Sequence, residues 1–403
     1  MEGLRDVEYL PEPSDRSIVS AVDPTVIGFQ DEWRAEIMGW APLPVEPVVR
    51  VRRRPFSLTG LVVFALFVSA SLLMWQNQWV VVELPPPTSE WAFEETGIRL
   101  LQDEGFSGEG VRVCMVDTGI DTSHEAFSGK NVQFKDFVGT SLTPMDYGAV
   151  AHGTLMAGLM IAASHQLGVA PNVTFAMAAA LKDNGEGENT GFDTDVADAI
   201  RWCQFDFKAD IISLSLGGTE RTGGADEGSS ASATRQATDA GVYVVAAAGN
   251  DGLDDDGDVA SPGSVPLAIS VGAVTQAGQL WENSSVGSST DDEGNTRVFP
   301  HQKPEIVAPG QRIISTGESN RWYSSSGTSD STVFVAGALA LLLEANPALK
   351  PVANGDSACL ELVKRTMAES AQEVGAPGHD LRGGYGVLDA EAWWGALATV
   401  SAC

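Results

Sequence analysis

Two kinds of apolar pattern divide this chain. Residues 56–75 (FSLTGLVVFALFVSASLLMW) form one run without a charge, and from Glu90 onward short apolar runs alternate with mixed stretches. At about 1.5 Å per residue the first run spans about 30 Å as a helix, the thickness of a bilayer core, and predicts a transmembrane segment. The short runs are Val111–Val116, Val173–Ala180, Ile211–Leu216, Val242–Ala248, Ala268–Val274 and Glu305–Val307. Helical patterns fall between or after them at Thr154–Ala163, Thr194–Phe205, Ser232–Ala240 and Thr332–Leu343. Continuous apolar strands separated by helices predict an α/β fold of three layers, a mostly parallel sheet covered on both faces.

This pattern divides the 403 residues into a tail (1–55), a transmembrane helix (56–75), a Pro-rich linker (76–90) and one large domain (91–403). A signal peptide is the alternative for 56–75, but the long preceding tail and the lack of a small-x-small cleavage site weigh against it. Arg50, Arg52, Arg53 and Arg54 precede the span, and Glu83 is the first charge after it. The positive-inside rule then puts the N-terminus in the cytoplasm and the large domain outside. Trp75 and Trp79 suit the outer interface, and Pro85, Pro86 and Pro87 make a stiff spacer. The tail, with Pro42, Pro44 and Pro47, is expected to be disordered.

Charge narrows the function classes. The net charge is −30, and 44 of the 54 acids but only 17 of the 24 bases lie beyond residue 55. Such a surface repels phosphates and anionic lipid, so no nucleic-acid partner is expected. Oligomeric state is not legible.

Four residues carry the candidate chemistry: Asp117 in VDTG, His152 in HGT, Asn250 in AGN and Ser329 in GTS. Asp117 and Asn250 end apolar runs and His152 opens a helical one, so these three fit the carboxyl ends of strands, where such sheets gather their chemistry, and Ser329 likewise opens an apolar segment, with its backbone N–H at a helix N-terminus. An acid, an imidazole, an amide donor and a hydroxyl at a helix N-terminus are the parts that acyl transfer by a serine nucleophile requires. Ser331, two residues on, is the alternative nucleophile, but Gly327-Thr328 precedes Ser329. An esterase on another α/β scaffold is disfavoured, because those place the nucleophile before the acid and the histidine. His124, His165, His301 and His379 lack comparable settings and are expected to be structural or surface residues.

In that order, DTGID (117–121), HGTLMAG (152–158), AAAGN (246–250) and GTS with VAG (327–337) resemble the motifs of the subtilisin-like serine proteases, over about residues 91–386. The resemblance implies a subtilisin-like fold, a serine endopeptidase with Asp117, His152 and Ser329 as triad and Asn250 as oxyanion donor, and a polypeptide substrate. It also implies that Ser215, Leu216 and Gly217, with Ala247, Ala248 and Gly249, line the substrate cleft and the primary pocket. KPEIVAPG (303–310) is similar to the strand and turn before the family's serine helix. The family usually follows its serine with Met-Ala, whereas Asp330 and Ser331 stand here; an acid in this place is expected to raise the pKa of His152 or to oppose an oxyanion.

No cofactor is needed for this chemistry. The loop carrying Asp254, Asp256 and Asp258 offers oxygens of the kind calcium takes, without an EF-hand pattern, and the family's use of calcium makes a structural ion an expectation. The Gly185-x-Gly187 pair lacks the strand-to-helix setting of a phosphate loop. With all four cysteines bridged three pairings are open; Cys114, inside an apolar run, reads as a buried thiol, and Cys359 with Cys403 is the pair to bridge in an oxidising compartment.

Overall fold

A computed structural model describes residues 7–9, 58–76, 88–163, 167–218, 229–252, 257–291, 294–351 and 355–398. Strand β1 (Val7–Tyr9) and helix α1 (Leu58–Gln76) come first, and β1 lies in the same compact unit as everything from residue 88 on, whereas α1 belongs to a second unit. Helix α1 overlaps the predicted span and has no charged residue. Its Leu61, Val63, Phe64, Leu66, Phe67 and Leu73 are exposed. The rest of the tail, the linker up to Pro87, and His165 lie outside the described residues.

The large unit opens with two short helices, α2 (Glu90–Glu95) and α3 (Ile98–Asp103). Next come β2 (Arg112–Asp117), β3 (Val132–Asp136), α4 (His152–Ile161), β4 (Thr174–Ala179), the small hairpin β5 (Lys182–Asp183) with β6 (Asn189–Thr190), and α5 (Asp193–Trp202). Strand β7 (Ile211–Leu214), α6 (Ser229–Asp239), β8 (Tyr243–Ala247), β9 (Ile269–Val274) and β10 (Ile306–Pro309) complete the sheet strands. The chain then makes β11 (Ile313–Thr316), β12 (Trp322–Ser325), α7 (Thr328–Ala345), α8 (Ala358–Ser370) and α9 (Ala390–Ala398).

Seven strands form one parallel sheet in the order β3-β4-β2-β7-β8-β9-β10. The first of them, β2, lies inside the sheet; the chain builds β3 and β4 on one side of it and the remaining strands on the other. Around this reversal the carboxyl ends of β2, β4 and β7 come level, with Asp117 beside Ala179 and Val116 beside Leu214. A crevice at such a reversal is where ligands bind in open α/β sheets.

Strand alternation sorts the core. Val113 and Met115 of β2 face a layer containing α4, α7, α8 and α9, whereas Cys114 and Val116 face α5 and α6. Helix α7 is buried through its first 16 residues, which fits its apolar sequence (TVFVAGALALLL) on every side. It is long and apolar enough to cross a membrane by length and composition, but its burial makes it the central core helix.

Several elements differ from the sequence pattern. Strand β3 is an edge strand whose residues alternate between half-buried and exposed, and β11 and β12 pair antiparallel outside the main sheet; their patterns are weak because the outer side of β3 is polar and the second half of β11 and of β12 is Ser or Thr. Strand β1 adds to β12 in parallel, with Val7 opposite Trp322 and Tyr9 opposite Ser324. The reading of Cys114 as a thiol is corrected: it is disulfide-bonded to Cys203, with Cα atoms 5.7 Å apart. Cys114 points to the α5 face and Cys203 follows α5, so packing joins residues 89 apart in sequence. Cys359 is also disulfide-bonded, and Cys403 lies outside the described residues.

Candidate active site

Asp117 is the last residue of β2, and the turn after it folds back against α4. Gly119 has φ +122°, and a Cβ there would stand 2.0 Å from the Met145 carbonyl oxygen. Gly153 has Gly119 O 2.1 Å from the place of its own missing Cβ. The two motif glycines thus let the aspartate corner and the histidine helix touch backbone to backbone, which no larger residue permits.

This contact sets the acid on the base. Asp117 Oδ1 accepts from His152 Nδ1 at 2.7 Å and from the Thr118 N–H at 2.7 Å, and both side chains are fully buried. His152 Nε2 has no hydrogen-bond partner among the described residues. Nδ1 carries the proton toward Asp117, and Nε2 is left as the basic nitrogen. Burial lowers the imidazole's pKa, but the charge of Asp117, its hydrogen bond, and the charges of Asp330 and Asp146 outweigh this and leave it raised.

A residue that no sequence motif singles out holds this corner together. Asp146 Oδ1 accepts from Thr118 Oγ1 at 2.7 Å and the Gly148 N–H at 2.9 Å, and Oδ2 accepts from Thr154 N and Oγ1 at 2.8 and 2.6 Å. Thr118 Oγ1 in turn accepts from the Gly153 N–H at 2.8 Å. One carboxylate therefore ties the residue after the acid to the helix turn that carries the base. Burial raises its pKa against these bonds. Its one signal in the sequence is a lone acid six residues before His152.

Ser329 and Asn250 arrive from α7 and the end of β8. Thr328 opens α7, and its N–H and Oγ1 donate to Asn250 Oδ1 at 2.9 and 3.1 Å. With its oxygen held by Thr328, the Asn250 amide offers its NH₂ as donor. Ser329 follows in the first helical turn, where backbone N–H groups have no partner within the helix. Its Oγ donates to the Ser215 carbonyl at 3.2 Å, and Ser215 Oγ donates to the Ser329 carbonyl at 3.3 Å. Asp117, His152 and Ser329 have no solvent exposure, and Asn250 has 4%. Ser331, the alternative nucleophile, donates instead to the Ala308 carbonyl at 2.9 Å, on the sheet side of the helix.

Of the expected cleft residues, Ser215 and Gly249 are brought to the serine helix; the Gly249 N–H meets Thr328 Oγ1 at 3.2 Å. Leu216, Ala247 and Ala248 are buried, and Gly217 is half-buried. Ala248 has both backbone groups bonded, to Val271 and Ala260, so it can form a pocket wall but cannot pair with a substrate strand. Asp254 and Asp256 lie outside the described residues. Asp258 Oδ1 accepts from Arg297 Nη1 at 2.7 Å and from the Val259 and Ser288 N–H groups. No cluster of three metal-binding side chains occurs among the described residues. His124 is structural: it is buried, with Nε2 on the Arg321 carbonyl and Nδ1 accepting from the Ala126 N–H.

A strand-end aspartate bonded to a helix-start histidine, with a serine in the first turn of α7 and an asparagine bonded to that turn, has the arrangement that the subtilisin-like resemblance implies. The model of the subtilase family matches residues 108–386, and the chain belongs to that family. It is 33% identical over 253 residues to subtilisin from Bacillus pumilus, covering 61% of this chain and 82% of that one. It is 32% identical over 272 residues to the serine protease AprX of Bacillus subtilis, covering 61% and 60%. It is 36% identical over 243 residues to a thermophilic serine proteinase of a Bacillus species, covering 59% and 53%. Against several of these curated relatives the chain spans only about three fifths of their length. Among solved structures, a cold-adapted subtilisin-like serine proteinase superposes with a TM-score of 0.55 at 27% identity, over 71% of this chain and 90% of that one. The fold is therefore the subtilisin-like α/β fold with a central parallel sheet.

Proposed function

We propose that this chain is a membrane-anchored serine endopeptidase that cleaves peptide bonds through an acyl-enzyme on Ser329. The observation that carries the reading is the buried Asp117–His152 bond of 2.7 Å at the end of β2, with Ser329 of the α7 N-terminus held on Ser215 at the end of the neighbouring strand β7. Ser329 Oγ turns from the Ser215 carbonyl toward His152 Nε2, gives up its proton there and bonds the scissile carbonyl carbon. The carbonyl oxygen becomes an oxyanion that accepts from the Ser329 N–H and the Asn250 amide. His152 then passes its proton to the leaving amine as the C–N bond breaks, and water repeats the sequence on the ester, freeing Ser329. Asp117 keeps the ring in one tautomer and stabilises its cation. The chemistry takes no cofactor, and an extended peptide laid along Ser215, Leu216 and Gly217 is the substrate.

The serine-protease names of the relatives support this reading. The test is labelling with a fluorophosphonate probe: the wild type takes the label and Ser329→Ala does not. A folded wild type that takes none overturns it in favour of a weak or inactive domain that binds peptides or partners, a reading that the buried Asp330 beside the nucleophile favours.

Anchoring by α1 rests on its uncharged sequence and exposed apolar side chains. A disulfide within the large domain suits an oxidising, extracellular side. A single crossing separates Val7–Tyr9 from β12, so in one molecule the anchor and the β1–β12 pairing exclude each other. External protease on intact cells decides between them: digestion of the large domain with protection of the N-terminus supports the anchor, and digestion of both, or protection of the domain, overturns it.

A further inference from the structure

We propose that Asp330 acts on the reaction through His152, by charge: it sets the pH at which the imidazole becomes a base, and it slows turnover once it is ionised. The inference rests on the peptidase reading of the same site. Asp330 is the third residue of α7, directly after Ser329, and has no solvent exposure. Ser325 Oγ, from the end of β12, donates to its Oδ1 at 2.5 Å, and Oδ2 has no partner among the described residues. An ionised carboxylate has about four acceptor sites, and leaving them unfilled away from water favours the neutral acid.

The charged groups around the pair come from three elements. Asp117 at the end of β2, Asp146 before α4 and Asp330 in α7 all favour a protonated His152. Among the described residues, the charged side chain that acts on Asp330 is His152. Burial pushes the Asp330 carboxyl up to about 7, against the Ser325 bond, the imidazolium and its own backbone N–H. Its titration is then coupled to that of His152, and the two protons leave in steps that belong to the pair.

Two effects follow. When Asp330 is ionised it holds a proton on the imidazole without contributing to its orientation, so the base is available only at a higher pH. Above that, its negative charge stands one residue from the N–H that the oxyanion needs. Asp117 has a hydrogen bond to the ring that compensates for its charge, whereas Asp330 has none.

The test uses the full chain, with Asp330→Asn as the isosteric neutral variant. The rate of fluorophosphonate labelling is measured against pH, and the His152 imidazole is titrated by NMR, with His152→Gln to assign its signal. The expected result is that Asp330→Asn moves both the acid limb of the rate and the His152 titration toward lower pH, and raises the rate above neutrality. Ser325→Ala, which removes a donor to the carboxylate, is expected to move the alkaline limb upward. Profiles of Asp330→Asn that superimpose on those of the wild type, with circular dichroism unchanged, overturn the inference. Absence of labelling at every pH sinks the peptidase reading alone; an unmoved His152 titration sinks the role of Asp330 alone.

Discussion

Asp117 ends a strand inside the sheet and Asp330 stands in the first turn of α7, yet both carboxylates bear on one imidazole. Asp117 Oδ1 is fixed by two hydrogen bonds, from the Thr118 N–H and His152 Nδ1. Asp330 is held by Ser325 and its own backbone N–H, and the second oxygen of each acid is buried without a partner among the described residues, so the difference lies in the donors to the first. The first acid acts on the ring by direction as well as by charge, and the second by charge alone. Two acids at similar depth thus do different things because the donors around them differ, which is a property of the neighbouring elements and not of the aspartate.

The largest way to break this comparison is Asp117→Asn, which keeps the shape but turns an acceptor into a donor toward Nδ1. We expect kcat to fall about 10⁴-fold, as wrong-tautomer variants of such triads do. A loss in peptide hydrolysis no larger than that of Asp330→Asn makes the two acids equivalent and removes the distinction. Next in size is Asn250→Ala, for which kcat should fall about 10²- to 10³-fold with KM little changed. Steady-state kinetics that show the loss in KM instead would take Asn250 out of the oxyanion site.

Smaller effects sharpen the picture of what holds the first acid. Asp146→Ala leaves Thr118, Thr154 and the Gly148 N–H without their half-buried acceptor, and should cost about 1 kcal/mol in urea unfolding. A stability unchanged by this substitution would mean that the motif glycines alone hold the corner.

The smallest effect is one of stability with pH. The carboxyl of Asp330 stands at about 7 in the folded protein against 3.8 for the free group, so across that interval the native state keeps a proton that the unfolded chain has lost. The stability this group contributes is full below about pH 4 and is lost as the pH rises through about 7. The melting temperature of the wild type should therefore fall relative to Asp330→Asn between those values. Parallel curves would show that the carboxylate is better solvated than its burial implies.

Much of the catalytic corner is legible in the amino-acid sequence. Asp117, His152, Asn250 and Ser329 sit in short strings whose glycines and small residues have local reasons, such as the backbone contact between Gly119 and Gly153. The parallel strands are legible because burial on both faces leaves continuous apolar runs. Edge strand β3 and the β11–β12 hairpin are not, since half of each is polar or small. Asp146 escapes notice for a different reason: a single acid in a loop has no periodicity, and its role exists only where Thr118 and Thr154 meet.

By itself, then, the sequence determined the alternation of the inner parallel strands with helices, the four candidate site residues and the uncharged run that becomes α1, because hydrophobic period and local backbone demands are written residue by residue. Only the tertiary structure decided what lies far apart in the chain and close in space. It bonded Cys114 to Cys203 across 89 residues, clamped two motifs through Asp146, gave Asp258 to Arg297, and put Ser325 against Asp330. Burial and pairing depend on neighbours from other elements, and no local pattern specifies them.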